Sequence, residues 1–118
     1  MKTLVLGASP NPMRYSHKAV KQLRAHNIEV VAIGKRETTI EDVPVITGKP
    51  QIEQLHTVTL YLNASNQEEY LDYIISQKPK RIIFNPGTYN FKLEELAERE
   101  GITTVSDCTL IMLASDDY

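Results

Sequence analysis

Short, nearly continuous apolar runs alternate with stretches of helical periodicity along this chain, and that alternation constrains the fold more than any single motif. The runs are Thr3 to Leu6, Glu29 to Ile33, Thr57 to Leu62, Arg81 to Phe84 and Thr103 to Val105. Runs this short, without polar alternation, suit strands covered on both faces. Between them, Ser16 to Asn27 sets Ala19, Val20 and Leu23 on one stripe. Asn66 to Gln77 does the same with Leu71, Ile74 and Ile75, and Phe91 to Glu100 with Leu93, Leu96 and Ala97. Ser65 and Glu68 have the spacing of a capping box, while Asn90 and Gly101 read as start and stop signals for the last of these helices.

Strands that alternate with helices return to the sheet by right-handed crossovers, which makes them parallel. The expected fold class is therefore α/β: a Rossmann-like, doubly wound, five-stranded parallel sheet in the order 3-2-1-4-5, with helices on both faces. Residues 35–56 read as an irregular connection containing one short helix near Pro50 to Leu55. A length of 118 residues fits one domain, residues 1–118, and one main site.

In open sheets of this kind the ligand lies beyond the carboxyl ends of the strands, where the strand order reverses. For the expected order that crevice falls between the first and fourth strands. It is framed by the turns Gly7 to Ser16 and Asn85 to Asn90, with Gly34 to Glu37 alongside.

The first turn reads "GASPNPMRYSH". Gly7 permits a sharp reversal, Ser9 offers a hydroxyl, and the following helix turns unpaired N–H groups and the positive end of its dipole toward the crevice. A phosphate suits that position. Against the dinucleotide pattern G-x-G-x-x-G, Ser9 and Pro12 stand where the second and third glycines belong, which disfavours NAD. The second strand ends in "GKRE", where an NAD site wants an acidic residue for the ribose; Lys35 and Arg36 instead favour a phosphate on the ribose, as in NADP or coenzyme A. Arg14 converges from the first turn. Across the crevice, "NPGTYN" supplies Asn85, Pro86, a Gly87 free to take positive φ, and the small Thr88.

The series G-A-S-P-N-P-x-R-x-S, the turn carrying Gly87 and Asn90, and the late Cys108 resemble the small stand-alone bacterial CoA-binding proteins. These are similar in turn to the N-terminal CoA-binding domain of the succinyl-CoA synthetase α-subunit. The resemblance covers essentially the whole chain. It implies that the first turn takes the pyrophosphate through Gly7, Ala8, Ser9, Pro10, Asn11, Arg14 and Ser16, while Gly34, Lys35 and Arg36 approach the adenosine portion. The cofactor it implies is coenzyme A or an acyl-CoA. The chain differs from those relatives in reading Ile33-Gly34-Lys35 where they often have V-N-P, and Asn85-Pro86 before the glycine.

The remaining composition narrows the function class. A net charge of −2 gives no general attraction to nucleic acid or to anionic membranes, and "KPKR" at residues 78–81 is too short for a tracking groove. The opening "MKTLVLGASP" is too short for a signal-peptide core and no run reaches membrane-spanning length, so a cytoplasmic protein is expected. The single cysteine, Cys108, fits a reducing compartment and is a candidate thiol within reach of a bound CoA. His17, His26 and His56 follow no metal pattern; His17 lies near the phosphate turn and reads otherwise as a helix-surface residue, as do His26 and His56 near helix ends. No catalytic constellation is evident, and a binding module is expected. Two alternatives stay open: an NADP-type dinucleotide-binding redox sensor, and a ligand-free interaction domain whose "TLIMLASDDY" docks on a partner or on a second copy as a homodimer.

Overall fold

Leu4 and Leu6 leave one face of the opening strand and Val5 the other, and all three are completely buried. That period of two places one strand between two cores. In the computed structural model, which describes residues 1–118, the elements run β1 Thr3–Ala8, α1 Tyr15–Ala25, β2 Val30–Gly34, β3 Thr38–Ile40, β4 Val43–Ile46 and β5 Thr57–Leu60. They continue with α2 Ala64–Gln67, a 3₁₀ turn at Glu68–Tyr70, α3 Leu71–Ser76, β6 Arg81–Phe84, α4 Phe91–Arg99, β7 Thr103–Ser106 and α5 Thr109–Ala114.

On one face, Leu4, Leu6, Val58, Leu60, Ile82 and Phe84 pack with Leu71, Ile74, Leu93 and Ala97 from α3 and α4. On the other, Val5, Ala32, Val43 and Val45 meet Val20 and Leu23 of α1 and Leu113 of α5. Each fully buried Leu or Ile contributes about 1.5–3 kcal/mol by leaving water, so these two layers dominate the folding energy.

The sheet is α/β and mostly parallel, but it has seven strands in the order β3-β4-β2-β1-β5-β6-β7, not five in the order 3-2-1-4-5. The connection read as irregular contains the β3–β4 hairpin. β4 pairs parallel to β2 through Ala32↔Val45 and Ile33↔Ile46, and β3 pairs antiparallel to β4. With the far side of β2 occupied, the strand at Thr57 has only the free side of β1 to join, in register Thr3↔Thr57 to Leu6↔Leu60. The order therefore reverses between β1 and β5, and the crevice between the first and fourth strands of the expected order is corrected accordingly.

Two helix expectations also change. Pro50 to Leu55 forms no helix; Ile52 and Leu55 are buried, the Ile52 amide donates to the Gln77 side chain at 2.8 Å, and the Tyr73 hydroxyl donates to the Pro50 carbonyl. Asn63, not a Ser65–Glu68 capping box, starts α2, its side chain accepting from the Asn66 amide at 2.8 Å. The expected continuous helix over residues 66–77 is interrupted by the 3₁₀ turn.

Candidate functional site

Gly7 sits at a register slip in the pairing of β1 with β2 and has φ +100°. A Cβ there would come within 3.0 Å of the Tyr61 backbone and the Leu62 side chain. Gly34 is needed for another reason: its Cβ would lie 2.3 Å from the Ala8 carbonyl oxygen. The two glycines let β1 bulge out of the sheet at its carboxyl end while β2 stays packed against it.

The turn beyond is rigid through its own hydrogen bonds. The Ser9 hydroxyl accepts from the Asn11 amide at 3.1 Å, the Asn11 side chain accepts from the Met13 amide at 3.0 Å, and the Arg14 amide donates to the Asn11 carbonyl at 3.0 Å. His17 is buried beneath the turn, not on the helix surface, and its Nδ1–H donates to the Ser9 carbonyl at 2.9 Å. Helix α1 then begins at Tyr15 with no side-chain cap from Arg14 and no acidic residue in its first turn. The amides of Tyr15, Ser16 and His17 have no acceptor in the protein. Unpaired donors at the positive end of an 11-residue helix favour an anion.

These groups open on a cavity of about 780 Å³. Gly7, Ala8, Ser9, Pro10, Arg14 and Ser16 line it from the first turn, Gly34, Lys35 and Arg36 from the end of β2, and Pro86, Gly87 and Thr88 from the turn after β6. Asn11 and Asn85 are not in its wall. Asn11 shapes the turn. Asn85 is buried and stitches the sheet to α5: its Nδ2 donates to Thr59 Oγ1 at 2.7 Å and to the Leu60 carbonyl at 2.8 Å, and its Oδ1 accepts from the Thr109 amide at 2.9 Å. Gly87 has φ +85° with open space around its Cβ position. Thr88 is buried, its hydroxyl donating to the Asn85 carbonyl at 2.7 Å.

The turn after β5 supplies wall residues that the expected strand order hid: Tyr61, Leu62, Asn63, Asn66, Glu69 and Tyr70. The rule that ligands sit where strand order reverses selects this turn once β4 occupies the side of β2. Gln67, fully buried, fixes it to the neighbouring turn by donating to the Leu62 and Thr88 carbonyls at 2.8 and 2.7 Å and accepting from Asn90 at 3.0 Å. The Tyr61 hydroxyl lies beside the Thr59 and Thr109 hydroxyls without bonding to either, and burial pushes its pKa up to about 12.

Charge is distributed unevenly. Arg24 is neutralised by a two-pronged contact to Asp42 at 2.9 and 2.8 Å. Arg14, Lys35 and Arg36, all at the crevice, form no ion pair. Cationic side chains without carboxylate partners beside a bare helix N-terminus create a local field suited to a polyanion.

A second cavity of about 390 Å³ shares Pro86 and Gly87 with the first and is lined by Phe84, Asn85, Tyr89, Ser106, Asp107 and Cys108. Cys108 is a half-buried free thiol. The other histidines lie elsewhere: His26 is exposed and bonds the Gln22 carbonyl at 2.7 Å, and His56 bonds the Thr57 hydroxyl at 2.7 Å. No group of three or more His, Cys, Asp or Glu residues is placed to hold a metal, and no helix is long and apolar enough to cross a membrane. The segment "TLIMLASDDY" folds onto its own chain, with Thr109, Met112 and Leu113 buried and the Tyr118 ring 4.5 Å from the Arg81 guanidinium.

Residues 1–114 match the family described as CoA binding domain. The chain belongs to that family. Membership supports a CoA-binding role in general terms, at the level of the fold's ligand class. A crystal structure of an uncharacterised protein superposes with a TM-score of 0.96 at 44% identity, covering 99% of this chain and 97% of the other. A Thermus thermophilus protein, cell-free ID.343, gives 0.86 at 17% identity over 99% and 90% of the two chains, and a hypothetical protein from Pyrococcus horikoshii OT3 gives 0.82 at 20% over 96% and 81%. The latter two are alike in fold alone. No curated protein matches the chain significantly.

Proposed function

We propose that residues 1–118 form one CoA-binding domain that holds coenzyme A or an acyl-CoA in the crevice between β1 and β5, without catalysis of its own, in the cytoplasm. The diphosphate sits against the free amides of Tyr15, Ser16 and His17, with Arg14 beside it, and the ribose phosphate faces Lys35 and Arg36. The pantetheine arm runs over Pro86, Gly87 and Thr88 toward Cys108.

The observation that carries this reading is the coincidence of three unpaired cations with an uncapped helix N-terminus at one cavity. A polyanion entering the cavity would meet three cationic side chains that no ion pair neutralises, together with the free donors of the helix. The cavity, about 780 Å³, is within the range of sites for small organic ligands. Family membership points the same way.

NADP is the second reading, favoured by the same Lys35 and Arg36, which suit a phosphate on either ribose position. Ser9 and Pro12 count against it, since side chains there hinder the close backbone approach a dinucleotide pyrophosphate needs. Calorimetry with CoA, dephospho-CoA and NADP separates the two. CoA is expected to bind tightest, with dephospho-CoA about tenfold weaker for the loss of charge-assisted contacts. Equal binding of CoA and dephospho-CoA would remove the role given to Lys35 and Arg36, and saturation by NADP alone would replace CoA as the ligand.

A further inference from the structure

The wall made by the 3₁₀ turn is built unlike the rest of the crevice. Where a 3₁₀ turn interrupts helix, side chains that a continuous helix would aim elsewhere are re-aimed, and such interruptions recur at functional positions. Here the interruption covers Glu68–Tyr70, and both Glu69 and Tyr70 reach the crevice.

The Tyr70 ring is held in place from two directions. Tyr73 meets it edge-on at 6.5 Å between ring centroids, and Lys49 lies over it with Nζ 5.4 Å from the centroid. Lys49 is itself tethered, its ammonium donating to the Glu69 carbonyl at 2.6 Å. Tyr70 belongs to the crevice wall and Lys49 does not, so the cation steadies the ring without itself entering the cavity lining. Tyr70 is half-buried, packs in part against the core under α3 and α4, and lines the crevice with what remains. Asn66 and Glu69, both exposed, belong to the same wall, and neither side chain has a hydrogen-bond or ion-pair partner in the protein.

We infer that Tyr70 is the stacking platform for the purine base of the bound nucleotide, with Asn66 and Glu69 at the base edge. This rests on the CoA reading and adds an orientation to it. Of the parts of such a ligand only the base has a flat π face, and a pre-fixed aromatic ring next to unpaired hydrogen-bonding groups suits it. Of the other tyrosines at the crevice, Tyr15 opens α1 at the anion turn and Tyr61 packs against the core, while Pro86, Gly87 and Thr88 present no aromatic ring, so the flexible arm of the ligand belongs there.

The chain contains no tryptophan, which permits a direct optical test. In a Tyr70→Trp variant, CoA and adenosine 3′,5′-bisphosphate are expected to quench the sole indole, while 4′-phosphopantetheine leaves its emission unchanged. In calorimetry, Tyr70→Leu is expected to weaken CoA and the bisphosphate about tenfold and to leave 4′-phosphopantetheine at the wild-type value, with Tyr70→Phe within about twofold of wild type for all three. Quenching by 4′-phosphopantetheine as strongly as by the bisphosphate, or equal weakening of all three probes in Tyr70→Leu, would overturn the stacking role while CoA binding itself stands. Wild-type protein that binds adenosine 3′,5′-bisphosphate with quenching in the tryptophan variant, yet binds no CoA, would overturn the CoA reading and keep the platform. Failure of wild type to bind any adenine-containing probe would overturn both.

Discussion

His17 Nδ1 lies 2.9 Å from the Ser9 carbonyl oxygen, so a buried imidazole on α1 fixes the turn that precedes its own helix. A carbonyl only accepts, which means that Nδ1 carries the proton whether the ring is neutral or charged. The bond crosses the whole anion turn, and its loss frees Pro10 to Arg14 to move relative to the helix amides. His17→Ala is expected to lower CoA affinity about fivefold and to cost about 0.5–1.5 kcal/mol of stability, the range for one such hydrogen bond. Calorimetry and thermal melts measure the two effects separately. A lowered melting temperature with unchanged affinity would make His17 a fold residue only.

Arg14 stands at the first turn with a free guanidinium, next to amides that have no acceptor. Replacing this exposed side chain by Ala removes no hydrogen bond or ion pair within the protein, so stability should change little. CoA affinity should fall by about 1.5–3 kcal/mol, the value of a charge-assisted hydrogen bond to phosphate. Because such contacts release counterions and are screened, the wild-type affinity should also decline with added salt more steeply than that of Arg14→Ala. Identical salt slopes and affinities would take Arg14 out of the site.

The parts of this fold that could be read from sequence are those fixed by local chemistry. The apolar run Arg81 to Phe84 is β6, and α4 starts directly after Asn90, whose side chain accepts from the Lys92 and Leu93 amides. What escaped depended on partners distant in sequence. β3 is three residues long, and β4 contains Pro44, which leaves it the look of a loop until β2 and β3 flank it. Without that hairpin the far side of β2 would be open to the strand at Thr57, and Tyr61, Asn66 and Tyr70 would lie away from the crevice. Asn85 shows the converse: its position in a strand-end turn drew it into the site, whereas three buried hydrogen bonds occupy its side chain.

Gly34 and Gly87 are both crevice glycines with opposite constraints. An added Cβ at Gly34 meets the Ala8 carbonyl oxygen at 2.3 Å, and that oxygen is backbone, with no flexible side chain to yield. Gly34→Ala should cost the upper part of about 1–3 kcal/mol in overpacking and prise β1 from β2. At Gly87 the Cβ meets nothing within 4 Å, and only the left-handed φ of +85° resists, a cost of about 1–2 kcal/mol. Gly87→Ala should therefore be the milder change in a denaturant titration and the more specific one in calorimetry, since its methyl group enters the path proposed for the pantetheine arm. If Gly34→Ala were the more stable variant, the close packing of the bulge on β2 would not be a folding constraint.

Cys108 tests where the far end of that arm goes. Its cavity adjoins the main one at Pro86 and Gly87, so a CoA seated as proposed brings its sulfur to the only cysteine in the chain. With oxidised CoA the reaction balances without another oxidant: the Cys108 thiolate attacks one sulfur of the CoA disulfide, a protein–CoA disulfide forms, and one CoA thiolate leaves. Intact-mass measurement should show one added CoA on wild type and none on Cys108→Ser. Accessibility alone would give a similar adduct with any small disulfide, so oxidised glutathione is the control. Binding in the crevice raises the local concentration of the CoA sulfur, and the CoA adduct should form at least about tenfold faster than the glutathione adduct. Arg14→Ala should slow the first reaction and leave the second alone. Equal rates for the two disulfides, unchanged by Arg14→Ala, would mean that the arm of the bound ligand does not pass over Gly87 toward Cys108.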